Sequence, residues 1–261
     1  MEYKIFYSWQ SDLPHKCNRT FIRESIDEAV AQLAEAGVVE DAPRVDEGME
    51  GVAGTPEVAS IMFEKIDDSA IFIADVSLVG RTEPKDPKRE AKRVPNPNVL
   101  LEMGYAAARI GWNRIICVMN EKYGKRHEQP FDVRNRRFPI NYTLDPGKNA
   151  DRDEVKAKLA SEIKGAIEVM KLSEHQQVAT IRKRLDLPCL LVMKTHGGAR
   201  YFSLGQPQYG SLVTSLSDNA AVARLLDMGV LFADFDPRQG HYAYHWTYLG
   251  DLVLRDLGMR K

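Results

Sequence analysis

Cysteine is scarce in this chain: Cys17, Cys117 and Cys189 are the only three, far apart and odd in number. No pair has metal-ligand spacing, which argues against a disulfide framework or a cysteine-built zinc site. They read as free thiols of a reducing compartment. Long apolar runs are missing too, since no stretch approaches the roughly 20 residues that span a bilayer. Neither sign of charge dominates: 36 Lys and Arg stand against 37 Asp and Glu, so no global field draws the molecule to nucleic acid or anionic lipid. The opening Met-Glu-Tyr-Lys leads straight into an apolar segment without a basic leader or long apolar core, and the expectation is a cytoplasmic protein with no membrane partner. P-loop, Cys-x-x-Cys and His-Glu-x-x-His patterns are absent. The six histidines are scattered; His241 and His245 share one strand-like segment, which is weak support for a metal. No serine is marked out as a nucleophile.

What remains is ordinary globular material, 44% hydrophobic and 28% charged. A length of 261 residues is enough for one large domain or two smaller ones. Residues 3–9 are rich in aromatic residues and Ile, suiting a buried strand that ends in the polar turn Ser8-Trp9-Gln10-Ser11-Asp12. Phe21, Ile22, Ile26, Ala29, Val30 and Leu33 then recur at helical spacing up to Gly37. A short strand is expected over 43–46, a glycine-rich mobile loop over 47–54, and a helix from Thr55 and Pro56 through Ile66. Residues 70–76 form the clearest buried strand. The insert 81–94, with six cations against three acids and no apolar anchor, reads as a solvated loop. Further strands are expected over 114–120 and 138–144, and a long amphipathic helix over 151–170. Strands alternating with helices at this spacing predict an α/β fold, a parallel sheet with helices on both faces, over residues 1–172.

The stretch from 95 to 111 organises this reading. Asn96 and Pro97 are a cap-and-proline helix start and Gly111 a stop. Between them the helix is apolar nearly all round, interrupted by one carboxylate, Glu102, which shares a face or adjacent faces with Asn98 and Tyr105. A carboxylate among Val99, Leu100, Leu101 and Met103 must be paired, partly exposed, or line a cavity. In a sheet of this kind ligands bind outside the carboxyl ends of the strands. Ser8, Trp9, Asp46, Asp75 and Ser77 follow strand ends while Asn98 and Glu102 lie near a helix start, so four segments are expected to converge on one rim. Trp9 is equally compatible with core packing, and Asp75 with capping a neighbouring turn.

From Ser173 the pattern changes. Ser217 and Asp218 precede a helix expected over 220–228, a hairpin follows around Asp236-Pro237-Arg238-Gln239-Gly240, and 248–257 reads as a final helix. This order over 173–261 resembles a winged-helix domain. Its candidate recognition helix carries Arg224 opposed by Asp227, a poor phosphate-neutralising surface, so a protein-interaction or sensing module is favoured over a DNA reader, with a protein or nucleic-acid partner left open.

Three segments, Lys-Ile-Phe-Tyr-Ser-Trp at 4–9, Ile-Phe-Ile-Ala-Asp-Val-Ser at 71–77 and Asn-Pro-Asn-Val-Leu-Leu-Glu-Met-Gly-Tyr-Ala at 96–106, together resemble the bacterial branch of the Toll/interleukin-1 receptor (TIR) family. Residues 102–106 are also similar to the catalytic segment of nucleoside 2-deoxyribosyltransferases, which share the fold. The resemblance covers about two thirds of the chain. It implies a flavodoxin-like sheet, NAD as a substrate and not a bound cofactor, and Glu102 as the group that cuts the nicotinamide–ribose bond. It further implies substrate contacts from Ser8, Trp9, Asp46, Asp75, Ser77, Asn98 and Tyr105, a loop at 46–54 that closes over the nucleotide or joins subunits, self-association, and a role in antiphage defence. The tryptophan-cysteine pair of eukaryotic members is replaced here by Asn98-Val99-Leu100-Leu101. A nucleoside or nucleotide N-glycosidase, a deoxyribosyltransferase-like enzyme, and a non-catalytic nucleotide-binding scaffold are the competing expectations.

Overall fold

The computed structural model describes residues 3–38, 43–48, 58–86, 88, 91–135, 139–147, 151–204, 212–236 and 240–260. The chain divides into two compact units, Glu2–Met170 and Lys171–Lys261 with Met1. The first contains β1 (Lys4–Ser8), α1 (Arg19–Glu35), β2 (Arg44–Asp46), α2 (Val58–Asp67), β3 (Ile71–Asp75), β4 (Leu78–Arg81), β5 (Arg93–Pro95), α3 (Pro97–Arg109), β6 (Ile115–Asn120), α4 (Phe131–Arg134) and β7 (Ile140–Tyr142). It also holds the first half of α5 (Arg152–Arg184).

Five of these strands form one parallel sheet in the order β2-β1-β3-β6-β7, flanked by helices and consistent with a flavodoxin-like core. β3 is buried at every residue, as expected of a strand covered on both faces. Alternation along the strands sends Phe6, Phe72 and Ala74 into one cluster with Met62 and Ile66 of α2 and Val99, Met103 and Ala106 of α3. Tyr7, pointing the other way, donates its hydroxyl to the Arg19 carbonyl of α1. Phe21 of α1 packs on Tyr142 with ring centroids 5.1 Å apart, and α1 and α5 are tied by Arg152–Glu24 and Lys156–Glu28 ion pairs. Each face of the sheet therefore carries its own helix layer. β2 and β3 lie on opposite sides of β1, so the carboxyl ends of β1 and β3 mark the topological switch point at which sheets of this kind bind ligands.

Two expectations for this unit change. The insert is a loop closed by a hairpin: its described residues between 82 and 92 form no strand and are mostly exposed, while at its ends β4 and β5 pair antiparallel through Leu78↔Pro95 and Arg81↔Arg93, anchored by the buried Leu78 just outside the charged stretch. The helix expected over 151–170 runs on to Arg184. Residues 171–184 contain neither Gly nor Pro, so nothing stops it before Asp186 caps the next helix by accepting from the Cys189 N–H.

The second unit contains α6 (Leu187–His196), β8 (Tyr201–Phe202), α7 (Leu212–Asp227), β9 (Leu231–Asp236), β10 (His241–Trp246) and α8 (Tyr248–Asp256). Its antiparallel sheet, in the order β8-β10-β9, helps enclose a core that includes Ile181, Val192, Met193, Phe202, Val222, Leu225, Trp246, Val253 and Leu254. α7 starts eight residues before the expected 220: Ser217 and Asp218, expected to precede the helix, lie inside it. Burial of Ala221, Val222 and Leu225 in the core outweighs the weaker helix preference of Ser217 and Asp218. Among the described residues no helix is long and apolar enough to cross a membrane.

Candidate active site

Local sequence fixes the position of Glu102. The Asn96 side chain accepts from the Asn98 and Val99 N–H groups at 2.8 and 3.2 Å, with Pro97 in the first turn, so α3 begins where the sequence marked it. Val99, Met103 and Ala106 face the core, which leaves Glu102 on the flank of the helix, half-buried, against the end of β1. There Ser8, 2% exposed, donates its hydroxyl to Glu102 Oε2 at 2.6 Å. This is a charge-assisted bond of the short, strong kind. Burial pushes the Glu102 carboxyl above its usual range, and the Ser8 bond pulls it back. The other oxygen, Oε1, has no hydrogen-bond partner among the described residues.

The turn after Ser8 is also fixed. Gln10, itself buried, donates to Asp75 Oδ2 at 2.9 Å while accepting from the Leu13 N–H. Asn96 Nδ2 donates to Asp12 Oδ2 at 2.7 Å, tying the start of α3 to the same turn.

The other expected site residues separate into two groups. Trp9 belongs to the rim: the Arg19 guanidinium lies over its ring, 3.4 Å from the centroid. Asp46 ends β2 but is held by Lys65 at 2.7 Å. Asn98 is exposed one turn before Glu102. Tyr105 turns to α2, stacking on Phe63 at 4.1 Å and donating to Asp67 Oδ2 at 3.0 Å; the structure does not bring it to Ser8 and Glu102. Asp75 and Ser77 are wholly buried. Asp75 accepts from Gln10 and from the Ser77 N–H at 3.0 Å, and burial holds its carboxyl above the usual range. Ser77 Oγ accepts from Asn18 Nδ2 and the Asn120 N–H. Asn120 in turn donates to the carbonyls of Cys17 and Leu144. These buried amides lock the ends of β1, β3, β6 and β7 together beneath the rim, supporting the site from below. Residues 49–54 of the expected closing loop lie outside the described residues.

Gln10, Asn18, Arg19 and Asn120 are neighbours of the candidate site that the sequence does not single out. Gln10 lies in the polar turn already noted, and Asn120 ends a strand, the same signal that marked Ser8 and Asp75.

Chemically, the arrangement offers one half-buried carboxylate oriented by a buried hydroxyl at the end of β1, the strand whose next residue, Trp9, carries the Arg19 guanidinium over its ring. It suits stabilising positive charge that develops on a sugar ring. The thiols do not compete as nucleophiles: Cys17 and Cys189 are buried, and burial pushes Cys117 up to about 12. Among the described residues no three His, Cys, Asp or Glu side chains group as a metal site, and His245 instead faces Asp234 at 3.9 Å. No protein-family model matches the chain, and no curated protein is significantly similar to it.

Proposed function

We propose that the chain is a TIR-like NAD glycohydrolase, a hydrolase in which Glu102 assists cleavage of the bond between nicotinamide and ribose. The observation that carries this reading is the Ser8–Glu102 contact of 2.6 Å at the topological switch point of a parallel sheet, where such folds bind nucleotides. The pyridinium nitrogen of NAD takes the electron pair of the breaking C1′–N bond and leaves as neutral nicotinamide, so no acid is needed to protonate it. The ribose is left as an oxocarbenium ion. A fixed negative charge in a water-poor site lowers the energy of that ion, and Glu102 supplies it. Water then adds to C1′, its proton passing to the carboxylate or to solvent, giving ADP-ribose, nicotinamide and one proton.

The second unit is read as a winged-helix-like regulatory or interaction module. Support comes from the order of α7, the β9–β10 hairpin and α8. Arg224 is already paired with Asp186 at 2.9 Å, and Asp227 with Arg184 at 3.3 Å, leaving α7 poorly equipped for phosphates and favouring a protein partner.

The test is chromatography of NAD incubated with the wild-type chain and with Glu102→Gln. Loss of one preorganised electrostatic group costs about 10²–10³ in rate, so nicotinamide release is expected to fall by that order. Equal release from both proteins, or base release from nucleosides while NAD stays intact, would overturn the reading.

A further inference from the structure

Immediately beyond Ser8, on the other face of β1, charges are arranged in a way that the chemistry at Glu102 does not use. Arg19 and Arg23, one turn apart on α1, both approach a single carboxylate oxygen, Glu47 Oε1, at 3.7 and 3.5 Å. Arg19 is held flat on Trp9, and Arg23 is steadied by Asp27 at 3.0 Å. Their directions are set in advance of any ligand. Glu47 is a loose occupant. Both separations exceed the 2.7–2.9 Å typical of a guanidinium–carboxylate hydrogen bond. Its second oxygen, Oε2, is buried without a hydrogen-bond partner among the described residues, a cost that a better-fitting anion would remove. Glu47 stands one residue past β2, and Gly48, at φ +51°, turns the chain beside the Trp9 indole nitrogen.

Two guanidiniums converging on one point suit an anion with more oxygens than a carboxylate, because each planar fork can then receive two acceptors. We infer that Arg19 and Arg23 form a pyrophosphate subsite whose place is taken in this structure by the Glu47 carboxylate, which the ligand must displace. This deepens the reading of Glu102 as a ribosyl-cleaving group and rests on it for the identity of the substrate. Ser8 turns toward Glu102 and its neighbour Trp9 toward Arg19, so the sugar site and the anion site flank the end of one strand. The substrate class that meets both is a dinucleotide joined through a pyrophosphate, in preference to a free nucleoside.

The full-length protein, titrated calorimetrically with inorganic pyrophosphate, tests the subsite without turnover. Since a hydrogen bond to a charged group is worth about 1.5–3 kcal/mol, Arg19→Ala and Arg23→Ala should each weaken binding roughly tenfold or more. Glu47→Gln, which keeps the shape and removes the competing charge, should tighten it by a similar factor, a gain that misfolding cannot mimic. Unchanged or weaker binding by Glu47→Gln, or equal binding by all four proteins, would overturn the subsite. NAD turnover separates the two ideas. Pyrophosphate binding as expected with NAD left intact retains the subsite and removes the glycohydrolase reading. NAD cleavage with the same KM in all four proteins does the reverse.

Discussion

At the level of single residues, the ionisation of Glu102 is set by two opposed influences: burial raises its pKa and the Ser8 hydroxyl lowers it, with burial the larger. The proposed chemistry uses the ionised form, so activity is present above that raised pKa and is lost as pH falls through it. Ser8→Ala removes the lowering influence alone. The acid limb of a pH–rate profile for nicotinamide release should move to higher pH, and the rate at neutral pH should fall roughly tenfold, the order expected for a lost hydrogen bond to a charged group. A profile that keeps its acid limb would show that Ser8 does not tune Glu102. That these two residues belong to one rim is legible in sequence because each breaks a local rule, a carboxylate in an apolar helix and a polar residue ending an apolar strand; their direct bond is not. Nor are the buried supports. Gln10, Asn18 and Asn120 find their partners across 65, 59 and 102 residues of chain, a relation that no local spacing encodes.

At the level of elements, α3 connects sequence to site most directly. Its cap does double duty: Asn96 Oδ1 satisfies two N–H groups of the first turn, while Nδ2 reaches Asp12 in the turn after β1. Asn96→Ala removes both functions and should cost about 1 kcal/mol in denaturant unfolding. Asn96→Asp keeps the acceptor and should retain most of that stability, although it sets a carboxylate against Asp12. Equal losses from both substitutions would mean that the Asp12 tie, and not the cap, secures the helix. Cap, proline and stop residue made α3 legible from 95 to 111. Where such punctuation was missing or doubled, the boundaries moved: α5 continues through a polar stretch that has no breaker, and α7 runs through Ser217 and Asp218 because its next turns are buried. The β4–β5 hairpin went unrecognised because Leu78 and Pro95, which frame it, lie just outside the charged insert whose composition suggested a loop.

At the level of the whole molecule, each unit has an apolar cluster built of its own residues, Phe6, Phe72, Val99 and Met103 among them in one, and Met193, Trp246, Val253 and Leu254 in the other. The change of pattern after 172 announced the second unit in sequence; what closes its core could not be read there, because it depends on a backbone contact between α8 and the chain before β9. Gly250 of α8 packs against Val230 so closely that an added Cβ would fall inside the contact distance of the Val230 carbonyl oxygen. In an exposed helix Gly→Ala gains about 1 kcal/mol. Here overpacking costs about 1–3 kcal/mol, and a main-chain carbonyl cannot rotate aside as a side-chain tip would. Gly250→Ala should therefore destabilise. The same carbonyl also accepts from the Thr247 N–H, so displacing Val230 would disturb the cap of α8 as well. Hydrogen exchange should show protection lost from the amides of β9, β10 and α8, while β1, β3 and β6 keep theirs, since none of the sheet around Glu102 draws on Gly250. Equal loss of protection in both sets would show that the two clusters melt as one.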